Sequence, residues 1–134
     1  MSQLTTQPHP TADNDVVLLT VPADSGYLGV LRTATAGLAA RLQFTLDEIE
    51  DLRIAVDEAC AMLLTIATPG SELDCRFTAT ETELTVDVTV PTAPDARLPA
   101  TSSFAWKVLT ALTTAVNATV EDGRAAIQLV RRRS

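Results

Sequence analysis

The sequence predicts an α+β fold, a two-layer sandwich in which helices cover one face of a mostly antiparallel sheet. Three stretches place apolar residues three and four apart, which is typical of helices with one buried stripe. Other, shorter stretches alternate apolar and polar residues, which is typical of strands with one buried face. The predicted order is strand, helix, helix, strand, strand, loop, helix, strand, strand, and packing the apolar surfaces together gives the two layers.

The composition narrows the class of protein. A chain of 134 residues is long enough for one domain with its own core, and its apolar fraction of 46% is typical of globular proteins. The net charge of -7 disfavours nucleic acid as a direct partner, because phosphate binding needs a basic surface. No stretch reaches the ~18 continuous apolar residues of a membrane span. We expect no membrane partner and, since no secretory signal is evident, a cytoplasmic protein.

Histidine, cysteine and arginine usage limits the chemistry further. The single histidine, His9, lies in a proline-containing segment, so neither a histidine-based metal centre nor a Ser-His triad is expected. Cys60 and Cys75 fall on apolar faces of a predicted helix and strand, and we interpret them as buried free thiols in preference to a disulfide. We interpret the three arginines at 131–133 as an exposed tail.

The first elements follow a polar segment. Residues 1–14 show no periodicity and are predicted to be a disordered tail, ahead of a single domain at 15–134. Residues 16–21 form a β-branched and leucine run that stops at Pro22, which predicts the first strand.

Two helices are predicted next, over residues 26–42 and 45–68. Asp24 or the following serine can cap the first helix, and Thr45 with Glu48 forms a capping box that opens the second. Their apolar stripes are Leu28, Leu31, Thr35, Leu38 and Leu42 in the first helix, and Ile49, Leu52, Val56, Ala59, Cys60 and Leu63 in the second.

The second half of the chain predicts two strands, a loop, a helix and a hairpin. The strands bury Leu73, Cys75, Phe77 and Ala79, then Leu84, Val86, Val88 and Val90. Residues 91–99 contain three prolines and are predicted to be a loop. Ser102 or Ser103 caps a third helix that buries Phe104, Val108, Leu112 and Val116. A turn at Asp122-Gly123 precedes a last strand that buries Ala125, Ile127 and Leu129.

Glu58 is the candidate catalytic residue. It lies opposite the core stripe of the second helix, where its neighbours are small or apolar, and Met62 lies one turn further on. A carboxylate in this position can act as a general base if a pocket lies over it. The alternative is that Glu58 pairs with an arginine or lies at a wet edge. Met62 is a soft thioether that does not suit magnesium, so no metal site is expected here.

The first predicted helix has an unusual outer face. It carries small residues where a solvated helix normally carries charges, and Arg32 lies at its edge. These residues are Gly29, Val30, Thr33, Ala36, Gly37 and Ala40. A flat face lets another backbone approach closely, which predicts a protein partner, either a second copy or a different protein. The alternative is an alanine-rich surface without a function.

One segment resembles a known family. The run Glu50-Asp51-Leu52-Arg53-Ile54-Ala55-Val56-Asp57-Glu58-Ala59-Cys60 is similar to the N-box helix of the GHKL ATPase superfamily, and the order of elements is similar too. Within it, the chain resembles the RsbW-like anti-sigma-factor serine kinases. The run Ser103-Phe104-Ala105-Trp106-Lys107-Val108-Leu109-Thr110-Ala111-Leu112 resembles a divergent actinobacterial branch. The resemblance implies the histidine-kinase-like ATPase (Bergerat) fold, with three helices on one face of the sheet.

The resemblance implies roles for individual residues. Glu58 corresponds to the family glutamate that activates the attacking hydroxyl or water, and here it is expected to be vestigial. Arg32 corresponds to the first-helix arginine that contacts the sigma factor and its antagonist. The predicted partner-binding residues are Arg32, Gly29, Thr33 and Ala36.

The nucleotide-binding motifs of the family are degenerate. The magnesium-binding asparagine is Met62, the adenine-binding glycine motif falls at 90–94 and is absent, and residues 101–104 replace the glycine-rich motif before the last helix. Phosphoryl transfer depends mostly on metal and backbone electrostatics, so a lone base contributes little. We therefore expect weak or no ATP binding, no cofactor and no ordinary kinase activity.

The resemblance implies an anti-sigma factor that sequesters an alternative RNA polymerase sigma factor and is released by an anti-anti-sigma (STAS) antagonist. The outer face of the first helix could also receive a second copy of the chain, so a homodimer is a further expectation. The alternative is an active serine/threonine kinase that phosphorylates the antagonist with ATP and magnesium. A free-standing GHKL-like module with some other partner is the third hypothesis.

Overall fold

The computed structural model describes residues 14–134, so the predicted disordered tail lies outside the described residues apart from its last position. The strands are β1 (Asp15–Pro22), β2 (Glu72–Ala79), β3 (Glu83–Pro91), β4 (Ala115–Glu121) and β5 (Arg124–Arg132). The helices are α1 (Leu28–Arg41), α2 (Leu46–Leu64) and α3 (Phe104–Leu112), and a short 3-10 turn (Ser25–Tyr27) precedes α1.

The five strands form one antiparallel sheet in the order β1-β2-β3-β5-β4. The alternation predicted for β2 and β3 is observed, and the register pairs Phe77 with Val86 on the buried face. A two-residue turn joins β4 to β5, with φ of 53° at Asp122 and 73° at Gly123. Two positive φ angles are typical of the hairpin turn whose twist matches the flanking strands. The predicted α+β fold is confirmed.

The core lies between the sheet and the helices. Fully buried side chains of α1 and α2 pack toward the inner faces of β2, β3 and β5. The largest fully buried side chains come from both the sheet and the helices, and they are Phe77, Leu31, Leu52, Leu63, Leu73, Leu84, Leu109, Ile127 and Leu129. The capping box at the start of α2 is present as predicted, because Thr45 accepts from the Glu48 backbone while Glu48 accepts from the Thr45 backbone.

The predicted buried stripe of α3 is wrong. The helix buries Trp106 and Leu109, whereas Phe104 is 79% exposed and Val116 belongs to β4. This helix has only nine residues and carries apolar side chains on more than one face. Spacing alone therefore cannot select which face packs against α2.

The interpretation of residues 131–133 as an exposed tail is also wrong. Arg131 and Arg132 belong to β5, and the guanidinium of Arg131 bonds to the end of α3 and to α2. The two cysteines, in contrast, are buried free thiols as predicted. None of the helices between residues 14 and 134 combines the length and apolar character that a bilayer crossing requires.

Candidate functional site

Arg32 lies where α1 borders α2. Its Nη1 approaches Oδ2 of Asp57 at 3.3 Å, and the two side chains are 40% and 38% exposed. A guanidinium has five N–H donors, so most of them stay available beside this single contact. An ion pair this exposed contributes only ~0–1 kcal/mol, and a carboxylate on another protein could replace Asp57 at little cost.

The small residues of α1 face outward as predicted. Thr33 and Gly37 are exposed, and Gly29 and Ala36 are partly buried. Among residues 14–134, a Cβ added at Gly37 would meet no heavy atom within 4 Å, and one at Gly29 would meet only the Arg32 side chain at 3.5 Å. Neither glycine has a positive φ. The fold itself therefore does not require glycine at either position, although glycine in a helix costs about 0.5–1 kcal/mol relative to alanine.

Two shallow cavities lie along the border between α1 and the edge strand β1, which we call the α1–β1 seam. One, of about 500 Å³, is lined by Leu19, Gly29, Val30, Thr33 and Ala34. The other, of about 300 Å³, is lined by Asp15, Val17, Leu38, Arg41, Leu42, Phe77 and Ala79. Exposed Val17 and Val30 make the seam an accessible apolar surface. No local sequence pattern predicts these cavities, because they depend on how α1 is placed over the sheet.

Glu58 and Met62 lie on α2, and neither lines the α1–β1 seam. Glu58 is half-buried, and within residues 14–134 its carboxylate forms no hydrogen bond or ion pair, so the arginine pairing considered from the sequence is not observed. Met62 is only 3% exposed. Neither residue lines the cavities of 190 to 670 Å³ at the surface of the described residues.

The segment between β3 and α3 does not offer a phosphate cradle. It has no glycine, and several of its backbone N–H groups are already bonded. Thr92 N donates to the carbonyl oxygen of Gly123 at 2.7 Å, and Ser103 N donates to that of Ala100 at 2.9 Å. The Trp106 indole fixes the segment by donating from Nε1 to the carbonyl oxygen of Pro99 at 2.6 Å. A triphosphate needs free, closely approaching N–H groups, so these residues fit it poorly.

The residues also fit magnesium poorly. Across residues 14–134, no three His, Cys, Asp or Glu side chains are grouped as a metal site. The position that the resemblance assigns to a magnesium ligand carries the buried thioether of Met62. Magnesium prefers oxygen ligands in octahedral geometry, which a thioether cannot supply.

The antiparallel sheet with three helices on one face is consistent with a GHKL-like, histidine-kinase-like ATPase fold. Comparison with a solved structure supports this fold. The crystal structure of the RsbU and RsbW domains of Rv1364c from Mycobacterium tuberculosis matches with a TM-score of 0.68 and 12% identity, over 89% of this chain and 32% of that chain.

Sequence relatives point to the same group. The chain is 40% identical over 77 residues to the serine-protein kinase RsbW of Bacillus subtilis, covering 55% of this chain and 48% of the relative. It is 36% identical over 109 residues to the anti-sigma-F factor RsbW of Mycobacterium tuberculosis, covering 81% of this chain and 63% of the relative. No family model matches. The chain is therefore similar to RsbW proteins, and it spans about half the length of the relatives from Bacillus subtilis and Halalkalibacterium halodurans.

Proposed function

We propose that this protein is an anti-sigma factor, which sequesters an alternative sigma factor and is released by an anti-anti-sigma (STAS) antagonist. The observation that carries the proposal is the outer face of α1, which combines two glycines that the fold does not need, Gly29 beside Arg32 and Gly37 in open space, with the exposed charge of Arg32. Relatives named serine-protein kinase RsbW and anti-sigma-F factor RsbW support the same role. A partner of this kind would be met in the cytoplasm.

The surface suggests how a partner is held. The α1–β1 seam supplies apolar area, and the small side chains at Gly29, Thr33 and Ala36 let a partner backbone approach. Arg32 supplies a charge at the border of this area. We therefore propose that the partner presents a carboxylate to Arg32 and apolar side chains to the seam, and that the Asp57 pair is exchanged on binding.

Capture from a lysate of the native host tests the role. The immobilised protein should retain a sigma factor or a STAS-domain protein, identified by mass spectrometry. Arg32→Glu should abolish this capture because it reverses the charge at the border, and Gly37→Arg should weaken it by filling open space. Arg97→Glu makes the same charge change at an exposed position in the segment after β3 and serves as the matched control.

The variants separate a lost contact from a lost fold. All three replace partly or fully exposed residues, so circular dichroism should match the unmodified chain and thermal unfolding should show no loss of stability. Capture that survives Arg32→Glu would remove this surface from the proposal. Loss of capture in Arg97→Glu would show that overall charge, and not the α1 face, governs binding.

We further propose that no cofactor is required and that Glu58 is a vestigial counterpart of the family base. The poor fit of Met62 and of the segment between β3 and α3 supports this. Isothermal titration with Mg-ATP is the test, and binding tighter than roughly 0.1 mM, about -5.5 kcal/mol, would restore the kinase hypothesis. Glu58→Ala should then abolish phosphorylation of the antagonist while leaving nucleotide binding in place.

Homodimerisation through α1 stays a prediction. The same small-residue face could receive a second copy of the chain, in which case a sigma factor would compete with self-association. Sedimentation velocity over a range of concentrations distinguishes a monomer from a dimer. A dimer that persists in Gly37→Arg would place the dimer contact elsewhere.

A further inference from the structure

Residues 131–134 join the ends of all three helices at one edge of the domain, and we call them the arginine clasp. Arg131 provides the central contacts. Its Nη1 donates to the carbonyl oxygen of Leu112 at the end of α3, at 2.7 Å, and to Oδ2 of Asp51 in α2, at 3.2 Å. The side chain of Arg131 is 20% exposed, so these contacts are partly shielded from water.

Arg133 and Ser134 extend the clasp to α1 and to the start of α2. Arg133 Nη1 donates to the carbonyl oxygen of Leu42, the C-cap of α1, at 3.2 Å. Ser134 donates twice to Oε2 of Glu48, from its backbone N at 2.8 Å and from Oγ at 2.6 Å. The other oxygen of Glu48 accepts from Thr45 N at 2.8 Å. The carboxylate is therefore engaged at both oxygens by the start of α2 and by the clasp.

We propose that Ser134 is a phosphorylation site for an arginine-directed serine/threonine kinase, and that its phosphorylation opens the arginine clasp. Three arginines directly precede this serine, and kinases select substrates partly by such charge patterns. Ser134 is exposed, and the side chain of Arg132 is 63% exposed. Arg132 can therefore meet an acidic kinase groove before the clasp has opened.

The consequence follows from the chemistry of the transfer. Ser134 Oγ attacks the γ-phosphorus of ATP held by the kinase, the bond to ADP breaks, and the hydroxyl proton passes to the base of the kinase. The product has lost the proton that it donated to Glu48 and carries about -1.5 to -2 charges. A dianion facing a carboxylate at this distance is repelled, and the neighbouring arginines offer it an alternative partner. Ser134 therefore leaves Glu48.

Kinase incubation tests the site. The chain is treated with Mg-ATP and the catalytic subunit of cAMP-dependent protein kinase, and the phosphorylated residue is located by fragment mass spectrometry. We expect one phosphoryl group on Ser134, none in Ser134→Ala, and normal incorporation in Ser102→Ala, which removes an exposed serine without preceding arginines. Arg132→Ala should slow incorporation several-fold, because it removes a basic residue that makes no bond of the clasp to a helix.

Amide hydrogen exchange tests the opening. Phosphorylation should accelerate exchange in the first turn of α2, and Ser134→Ala should have a smaller effect because its backbone N–H still reaches Glu48. Failure to phosphorylate the folded chain, or incorporation at another serine, would overturn the proposed site. Unchanged protection of α2 after phosphorylation would overturn the opening. Neither readout uses partner binding, so these experiments test the phosphorylation site independently of the anti-sigma role.

Discussion

Replacing Glu48 by glutamine removes one charge from the junction between α2 and the arginine clasp. The carboxylate accepts three hydrogen bonds, one from Thr45 and two from Ser134. A glutamine side chain has a single oxygen, so its NH₂ group must face either Thr45 N–H or the two donors of Ser134. One end of the junction is then lost, and two donors face each other there.

The expected loss of stability follows from these contacts. Losing one side of a capping arrangement costs about 0.5–2 kcal/mol. The Glu48 side chain is buried, but Thr45 and Ser134 are exposed, so water can satisfy part of what is lost. We therefore expect Glu48→Gln to lower the free energy of unfolding by about 1.5 kcal/mol at pH 7, which lowers Tm by roughly 5 °C in a domain of this size.

The control is the pH dependence of the difference in free energy of unfolding between the unmodified chain and Glu48→Gln. Hydrogen bonds, chiefly from the Ser134 hydroxyl, lower the pKa of Glu48 from 4.5 to about 2. A carboxyl whose pKa is lower in the folded state contributes stability above its unfolded pKa and loses it as the pH falls through its folded pKa. The gap between the two proteins should therefore narrow from about pH 4.5 downward and approach zero near pH 2.

Urea unfolding followed by circular dichroism, at pH 7 and at several lower pH values, measures the gap. A difference at pH 7 within about 0.5 kcal/mol, the range of ordinary surface substitutions, would show that these hydrogen bonds do not stabilise the fold as expected. So would a gap that is unchanged near pH 2, because the charge of Glu48 would then not be its source.

Three further predictions concern the rest of the fold. Gly37→Ala should raise the free energy of unfolding by about 0.5–1 kcal/mol because its Cβ enters open space. Gly70→Ala should lower the free energy of unfolding, because Gly70 has a φ of 74° that alanine rarely adopts. Equal effects of the two substitutions in urea unfolding would contradict this difference. Leu109→Ala should lower it by about 2–5 kcal/mol, and a loss below about 1 kcal/mol would show that α3 is loosely packed. Burial raises the pKa of both thiols, that of Cys75 to about 12. Neither Cys60 nor Cys75 should therefore react with a thiol reagent at pH 8 until the chain unfolds. Rapid labelling of the native chain would contradict their burial.

Periodicity predicted most of the architecture. The alternation in β2 and β3 and the capping box at Thr45 each depend on residues close together in sequence, and both are observed. The failures have a different origin. Arg131 reaches Asp51 across 80 positions of sequence, and no local pattern reports a contact of that range. In α3, apolar residues lie on several faces, so the burial of Trp106 depends on tertiary packing that spacing does not encode.

The candidate surface could be predicted in part. The small residues of α1 were expected to face outward because they oppose its apolar stripe, and the structure exposes or half-exposes them. The Arg32–Asp57 pair and the α1–β1 seam could not be predicted, since both depend on how α1 lies against its neighbours. The roles of Glu58 and of Arg32 in binding or chemistry stay predictions.

The proposed anti-sigma role requires the protein to bind its partner without nucleotide, and a calorimetric titration measures whether it does. A sigma factor recovered by capture is titrated calorimetrically into the purified protein, once without nucleotide and once with saturating Mg-ATP. We predict a complex in both titrations with the same Kd. A complex that forms only with Mg-ATP would contradict the claim, because the nucleotide site would then still control the protein-binding surface.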